Sequence, residues 1–205
     1  MHVSLNRKRE RARKEIGQLR SVLADMPITA PSRYALAEIA VIRIAGILER
    51  SIAELAYKVA CGAEYGDGAR ENCAVACRSL DHARQLMLSD NGQRDPPRQF
   101  LKWTRATYIA ASVKPILPDD GHFLSVCRNF GPNLSEIFEI RHFIAHRNAS
   151  SRRSYMKWVR QMYGQERKIQ VGYFLTTLNL RPHSNIDRYL RSAELILDNL
   201  CKEAA

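Results

Sequence analysis

The residues of this chain that are best suited to chemistry lie in one segment, Arg-His-Phe-Ile-Ala-His-Arg-Asn at 141–148. In a helix each residue advances by about 100° around the axis, so His142 lies about 100° from Arg141 and about 40° from His146. A permanently charged guanidinium beside two imidazoles that titrate near neutral pH can hold a phosphate and move protons next to it. The small side chain of Ala145 leaves room for a ligand. The segment therefore predicts a site that handles phosphate groups.

The helix that must carry these side chains is predicted from its flanking residues. Gly131-Pro132 is a typical helix breaker, and Asn133 after it is a suitable N-cap. Arg141 then falls on the apolar stripe of this helix, so a structural Arg paired with a buried carboxylate is an alternative interpretation. His146 and Arg147, near the C terminus of the helix, are also favourable partners of the helix dipole without any further function. Spacing alone leaves these alternatives open.

The segment resembles the signature of the HEPN superfamily, in which an Arg, a polar residue, three variable residues and a His end one helix. Here these are Arg141, His142 and His146. A second segment, 34–55, is similar to the early helix of the RiboL-PSP-HEPN branch, and the resemblance spans residues 30–200. The residues that match in the second segment are Tyr34, Arg43, Gly46, Leu48, Glu49, Ser51, Ile52, Glu54 and Leu55.

The resemblance implies an all-α, HEPN-like bundle of about five to seven helices and the activity of a metal-independent endoribonuclease of bacterial defence or toxin-antitoxin type. In that reaction the ribose 2′-hydroxyl attacks its own 3′-phosphate. His146 would act as acid or base, Arg141 would stabilise the phosphate, and His142 would orient the substrate or share the proton transfer. No metal or cofactor is implied. HEPN nucleases act as dimers, which implies a homodimer with the active cleft at its interface and an apolar patch beside the motif.

Two positions depart from the family pattern. Asn148 stands where the toxin-like members carry a Tyr that a nucleotidyltransferase antitoxin modifies, and Arg147 stands where glycine is frequent. Control by that modification is therefore not expected, although a different antitoxin or neutralising protein remains a candidate partner. The alternative to an enzyme is a non-catalytic HEPN module that binds RNA or a partner protein.

The composition limits the class of protein. A chain of 205 residues with 45% hydrophobic residues can form one domain with a substantial core. Its formal net charge of +11 favours a polyanionic partner such as RNA or DNA, and double-stranded DNA binding by the basic N-terminal helix is a further alternative. No secretory signal follows the basic start, and charges interrupt the most apolar stretch, so a cytoplasmic protein without a membrane partner is predicted. Five cysteines without close metal-ligand spacing favour reduced thiols over a zinc site.

Glu49 is the predicted support of the motif. Its position on an apolar helix face beside Gly46, where another helix can approach, predicts a buried carboxylate that requires a partner. We expect Glu49 to face Arg141 and fix its side chain, with Arg43 or Arg50 as alternative partners.

A second cationic segment follows the motif. Arg152, Arg153, Lys157 and Arg160 alternate with aromatic residues on one predicted short helix, which indicates an RNA-binding wall. A solvated basic face with Trp158 directed inward explains the pattern equally well.

The remaining pattern predicts a series of further elements. The first are an N-terminal basic helix within 1–30, packed on a helical domain at 31–205, a helix to Ala60 capped by Ser32, and a loop at 62–68. They are followed by a helix at 69–89 with Cys73 and Cys77 one turn apart, and by a short helix at 98–108 whose aromatic residues Phe100, Trp103 and Tyr108 belong to the core rather than to a base-stacking surface. The last are a brief helix at 122–130, a segment at 165–177 that is either extended or helical, and a final helix from Ser184 to about Cys201.

Overall fold

The computed structural model describes residues 4–25, 30–165, 167–178 and 182–202. Within these ranges the chain forms nine α-helices and no β-strand, so the all-α prediction is confirmed and the expected count of about five to seven is too low. The count is higher in part because α8 has only six residues, which is too short for a clear hydrophobic period. The helices are α1 (Asn6–Ala24), α2 (Ala30–Ala60), α3 (Leu80–Ser89), α4 (Ala106–Val113), α5 (His122–Asn129), α6 (Gly131–His146), α7 (Ala149–Tyr163), α8 (Val171–Thr176) and α9 (Asn185–Cys201).

Helix α2 is the centre of the bundle. It has 31 residues and packs against α1, α3, α6, α8 and α9, with Ile44, Leu48 and Ile52 fully buried. Ser32 lies inside this helix rather than at its N-cap, because Pro31 is tolerated in a first helical turn. Among the helices in the described ranges, none combines the length and apolar composition needed to cross a bilayer.

Helix α8 occupies the second half of the segment 165–177, whose conformation the sequence leaves open, and residues 167–170 before it are not helical. Its six residues bury Val171, Phe174 and Leu175, whose spacing of three and one suits a single helical turn. The close approach to α2 depends on Gly172, because a Cβ added there would lie 2.2 Å from the Cβ of Tyr34. The sequence leaves this conformation open because so short a segment shows no helical period.

The segment between α2 and α4 also differs from the prediction. Residues 69–79 are irregular, so Cys73 and Cys77 do not share a helix, and α3 begins only after Ser79, whose hydroxyl accepts from the amide of His82 at 3.1 Å. Glu71 is one tertiary anchor of the irregular stretch, because its carboxylate accepts from the amide of Phe123 at 2.8 Å. Residues 98–105 are likewise not helical, although a helix was predicted at 98–108.

Helices α1 and α9 are joined by an ion pair whose carboxylate is buried. Asp198 on α9 is 3% exposed, and its two carboxylate oxygens lie 3.1 and 3.2 Å from the Arg13 guanidinium. Lys8 on α1 pairs with Glu54 on α2 at 2.6 Å. These cations of the N-terminal basic helix therefore hold it on the bundle. Ser184 caps α9, because its hydroxyl accepts from the backbone amide of Asp187 at 3.3 Å, as the sequence predicts.

Candidate functional site

Helix α6 carries the predicted motif and ends at it. The helix runs from Gly131 to His146, with Pro132 in its first turn. Asn133 is therefore not the N-cap, and its side-chain amide instead donates to the Ser192 hydroxyl at 3.1 Å. The proline is compatible with this position because the first amides of a helix have no intrahelical partner. Since the helix includes Arg141, the predicted placement of that residue and the two histidines on one helix is confirmed.

The two imidazoles of the motif lie side by side at the protein surface. Their ring centroids are 4.5 Å apart with an interplanar angle of 54°, and both His142 and His146 are exposed. Arg141 is partly exposed and has no ion pair or side-chain hydrogen bond to any described residue. The guanidinium and the imidazoles are therefore accessible to a ligand.

The electrostatic environment of His142 favours its neutral form. The pKa of His142 is lowered below its usual value, mainly because the imidazole is partly desolvated. Coulombic interactions with His146, Arg141 and Arg105 lower this pKa further. All three of these neighbours are groups that can carry positive charge. A neutral imidazole beside cations is suited to accept a proton from a substrate that the cations attract.

Arg105 and Glu139 belong to the site although the sequence did not identify them. Glu139 accepts from the Arg105 guanidinium at 2.8 Å and from the Trp158 indole at 2.8 Å. It lies one helical turn before His142, so it fixes a second cation beside the imidazole. The i, i+3 spacing of Glu139 and His142 was visible in the sequence, but the partner Arg105 comes from a segment that is distant in the chain.

Arg147 and Asn148 form the joint between α6 and α7. Arg147 adopts a left-handed conformation with φ of 46°, the conformation at which glycine is favoured, and pairs with Glu38 at 2.5 Å. Asn148 is the N-cap of α7: its side chain accepts from the amide of Ser151 at 2.9 Å, and the Ser151 hydroxyl accepts from the amide of Asn148. These two predicted site residues therefore fix the direction in which the chain leaves the motif.

A basic groove begins immediately after the motif. It has a volume of about 610 Å³, and its lining contains five cations and no carboxylate. Helix α7 supplies all four residues predicted for an RNA-binding wall. They are Arg152, Arg153, Lys157 and Arg160, with Arg147 as the fifth cation.

The aromatic residues of α7 do not face this groove. Tyr155 is 2% exposed and stacks on Phe143 with ring centroids 4.6 Å apart, while Trp158 is 8% exposed and donates to Glu139. These rings are therefore part of the core and cannot stack on bases. The cations of α7 remain at the surface, where they can contact phosphates.

Glu49 does not support the motif in the predicted way. Its side chain is partly exposed, and among the described residues no hydrogen bond or ion pair joins it to Arg141, Arg43 or Arg50. Arg50 pairs with Glu15 on α1 at 3.1 Å instead. No other helix of the described residues comes within 4 Å of a Cβ added at Gly46. The one described group within that distance is the side chain of Arg50, on α2 itself, at 3.4 Å. The prediction was wrong because periodicity shows which face of α2 Glu49 occupies, but not which helix covers that face.

Comparisons of the chain with protein-family models, with curated protein sequences and with solved structures find no match. In the part of the chain that the structure describes, no three His, Cys, Asp or Glu side chains are grouped so that they could hold a metal ion together. Function is therefore inferred from the geometry of the site.

Proposed function

We propose that this protein is a metal-independent endoribonuclease of the HEPN type. The observation that carries the proposal is the exposed pair of imidazoles, with ring centroids 4.5 Å apart, beside the guanidiniums of Arg141 and Arg105. Cleavage of RNA by its own 2′-hydroxyl requires one group that accepts a proton, one that donates a proton and a cation for the phosphate. The motif supplies all three.

The lowered pKa of His142 supports the following proposed division of the two proton transfers. His142 accepts the proton of the 2′-hydroxyl as the 2′-oxygen forms its bond to phosphorus. The bond between phosphorus and the 5′-oxygen breaks, and protonated His146 donates its proton to that oxygen. Arg141 stabilises the negative charge of the pentacoordinate phosphorane. The products are a 2′,3′-cyclic phosphate and a 5′-hydroxyl, and a later proton exchange with water restores both imidazoles.

Two exposed isoleucines on α2, close to the end of the motif, are the reason to propose a homodimer. Ile39 and Ile42 on α2 are 55% and 39% exposed, whereas most apolar residues of this helix are buried. Glu38, next to them, pairs with Arg147 at the end of the motif. We propose that a second copy covers these isoleucines, so that the two motifs face one cleft. Light scattering of the wild type and of Ile39→Glu tests this: loss of a dimer in the variant is expected, and a monomeric wild type refutes it.

The biological setting is part of the same proposal. An exposed nuclease site in the bacterial cytoplasm would cleave the RNA of the cell that makes it, which fits a defence or toxin component controlled by a neutralising protein. Inducible expression is expected to stop growth, and His146→Gln is expected to remove that effect. Growth arrest by the variant would show that toxicity does not depend on RNA cleavage.

The direct test is a cleavage assay with purified protein, single-stranded RNA and a chelator of divalent metals. We expect products that end in 2′,3′-cyclic phosphate, and no cleavage at a position where the ribose is replaced by 2′-deoxyribose. His142→Gln and His146→Gln should lose activity. His183→Gln is the matched control, because His183 is also exposed but lies outside the site.

A second candidate function is RNA binding without catalysis. The groove on α7, with five cations and no carboxylate in its lining, favours this alternative because it binds phosphates whether or not the imidazoles react. An inactive wild type that binds RNA with an affinity unaffected by His142→Gln and His146→Gln would support the binding module over the enzyme.

A further inference from the structure

We propose that a groove between α4 and the irregular segment 94–102 is a base-binding subsite for single-stranded RNA, in which Phe100 and Tyr108 stack on unpaired bases. The proposal rests on the proposed function, because it extends the substrate-binding surface of the same site. This subsite would contact the bases of the substrate, whereas the motif would contact its phosphates.

The two aromatic rings are exposed beside a cation. Phe100 is 64% exposed and Tyr108 is 38% exposed. The ammonium of Lys102 lies 6.0 Å from the Phe100 ring centroid and 5.2 Å from that of Tyr108. Exposed aromatic rings interleaved with cations are the recurring feature of surfaces that bind single-stranded nucleic acids, because every base has a face that can stack.

The segment that carries Phe100 is anchored by its neighbours. Leu101 is 9% exposed and Trp103 is 5% exposed, and Trp103 packs edge-on against Tyr57 with ring centroids 5.7 Å apart. The chain therefore directs alternate side chains inward and outward, and Phe100 is held at the surface by the burial of the residues after it. The sequence prediction that Phe100 and Tyr108 belong to the core was wrong. For Phe100 the reason is this alternation of side chains.

Hydrogen bonds to α4 fix the subsite further. The Ser112 hydroxyl contacts both the amide and the carbonyl of Lys102 at 3.2 Å, and the Arg98 guanidinium donates to the carbonyl of Ala111 at 3.0 Å. A surface that is already ordered loses less conformational entropy when it binds. The platform is thus organised before any ligand arrives.

The charge of the groove matches a phosphodiester chain. The groove has a volume of about 400 Å³, and its lining includes Arg94, Arg98 and Lys102 but no carboxylate. Single-stranded RNA offers both phosphates for these cations and unpaired bases for the rings. Duplex RNA offers only the phosphates, since its bases are already stacked and paired.

Arg105 connects this groove to the proposed catalytic residues. Its guanidinium lies 5.7 Å from the Tyr108 ring centroid, pairs with Glu139 on α6 and lowers the pKa of His142. On the other side of the imidazoles, Arg147 leads into the groove on α7. A strand whose base stacks on Tyr108 can therefore cross the motif and place its next phosphates along α7.

The test measures RNA binding in the His146→Gln background, so that cleavage does not obscure it. The probes are a labelled single-stranded RNA, the same oligonucleotide with abasic sites, and a duplex of the same sequence. Phe100→Ala and Tyr108→Ala are each expected to weaken binding of the single strand by about 5-fold to 100-fold. The same substitutions should change binding of the abasic strand and the duplex by less than about 2-fold. Phe100→Trp and Tyr108→Phe should retain the wild-type affinity.

The matched control is Tyr173→Ala, because Tyr173 is 44% exposed but lies on α8 outside this groove. Equal losses of affinity for the single strand and the abasic strand would overturn the proposal, since they would indicate an effect on charge or folding rather than on stacking. Unchanged binding in both alanine variants would overturn it as well, and would favour a protein partner for these rings. If RNA is cleaved but the rings have no effect, only the subsite fails; if RNA is neither bound nor cleaved, the proposed function fails too.

Discussion

Replacement of His142 by Gln is the most direct test of the proposed proton transfers. Gln keeps a side chain of similar polarity but cannot accept a proton from the 2′-hydroxyl. His142 is exposed and has no hydrogen bond to a described residue, so the substitution should leave the fold unchanged. A loss of activity can then be assigned to the missing base.

The expected loss follows from the role of the imidazole. A positioned general base contributes about 10²-fold to 10⁴-fold to the rate, which corresponds to about 3 to 5 kcal/mol of activation free energy. His146→Gln should cause a loss of similar size by removing the acid. The double variant should be little worse than either single variant, because residues that act in one step are not additive.

The pH dependence gives a second, independent measure. His142 must be neutral to act, so kcat/KM rises as the pH increases through its pKa. Since desolvation and the neighbouring positive groups lower that pKa, the acid limb should have its midpoint below the ordinary histidine value of 6.5. Replacement of Arg105 by Gln removes one of those charges and should move the midpoint to higher pH. This limb should be absent from the residual activity of His142→Gln.

The assay is single-turnover cleavage of a labelled RNA over a range of pH at constant ionic strength, with His183→Gln as control. NMR titration of the imidazoles measures the pKa of His142 directly. Retention of more than about one third of the wild-type rate by His142→Gln, or an acid limb that the substitution leaves in place, would refute its role as base.

Three further predictions concern the elements that position the site. Asn148→Ala removes the N-cap of α7 and should lower the free energy of unfolding by about 1 kcal/mol, measured by chemical denaturation. Arg188→Met leaves the buried Glu136 carboxylate without its cation and should cost about 3 kcal/mol, seen as a fall in Tm of about 6 to 12 °C by calorimetry. Arg147→Gly relieves a left-handed backbone but breaks the exposed pair with Glu38, so it should stabilise the fold by up to about 1 kcal/mol while it weakens RNA binding in a titration.

The long elements of the fold could be predicted because their signals are local. The final helix has a wide apolar face and a Ser184 cap, and α6 begins at Gly131-Pro132, so each is specified within its own residues. The segments 69–79 and 98–105 were predicted as helices on the same kind of pattern but are irregular. Contacts far along the chain hold them, such as Glu71 to Phe123 and Lys102 to Ser112. No local period contains that information.

The same distinction applies to the candidate site. Arg141, His142 and His146 lie on one helix, so their relative placement follows from helical geometry alone. Arg105 reaches the site through its tertiary pair with Glu139, and Glu49 was assigned to Arg141 although no hydrogen bond or ion pair joins the two. Sequence periodicity shows which face of a helix a residue occupies, but not which other helix covers that face.

The net charge of +11 alone does not indicate where a polyanion binds, so the distribution of the charges over the surface has to be considered. The groove between α1 and α2 is lined by five cations, but its lining also includes Glu15, whose carboxylate pairs with Arg50. The α7 groove and the subsite at 94–102 have no carboxylate in their linings. On both sides of the imidazoles a phosphodiester chain therefore meets a groove that is lined by cations and by no carboxylate. The basic N-terminal helix instead uses several of its charges to hold the fold together.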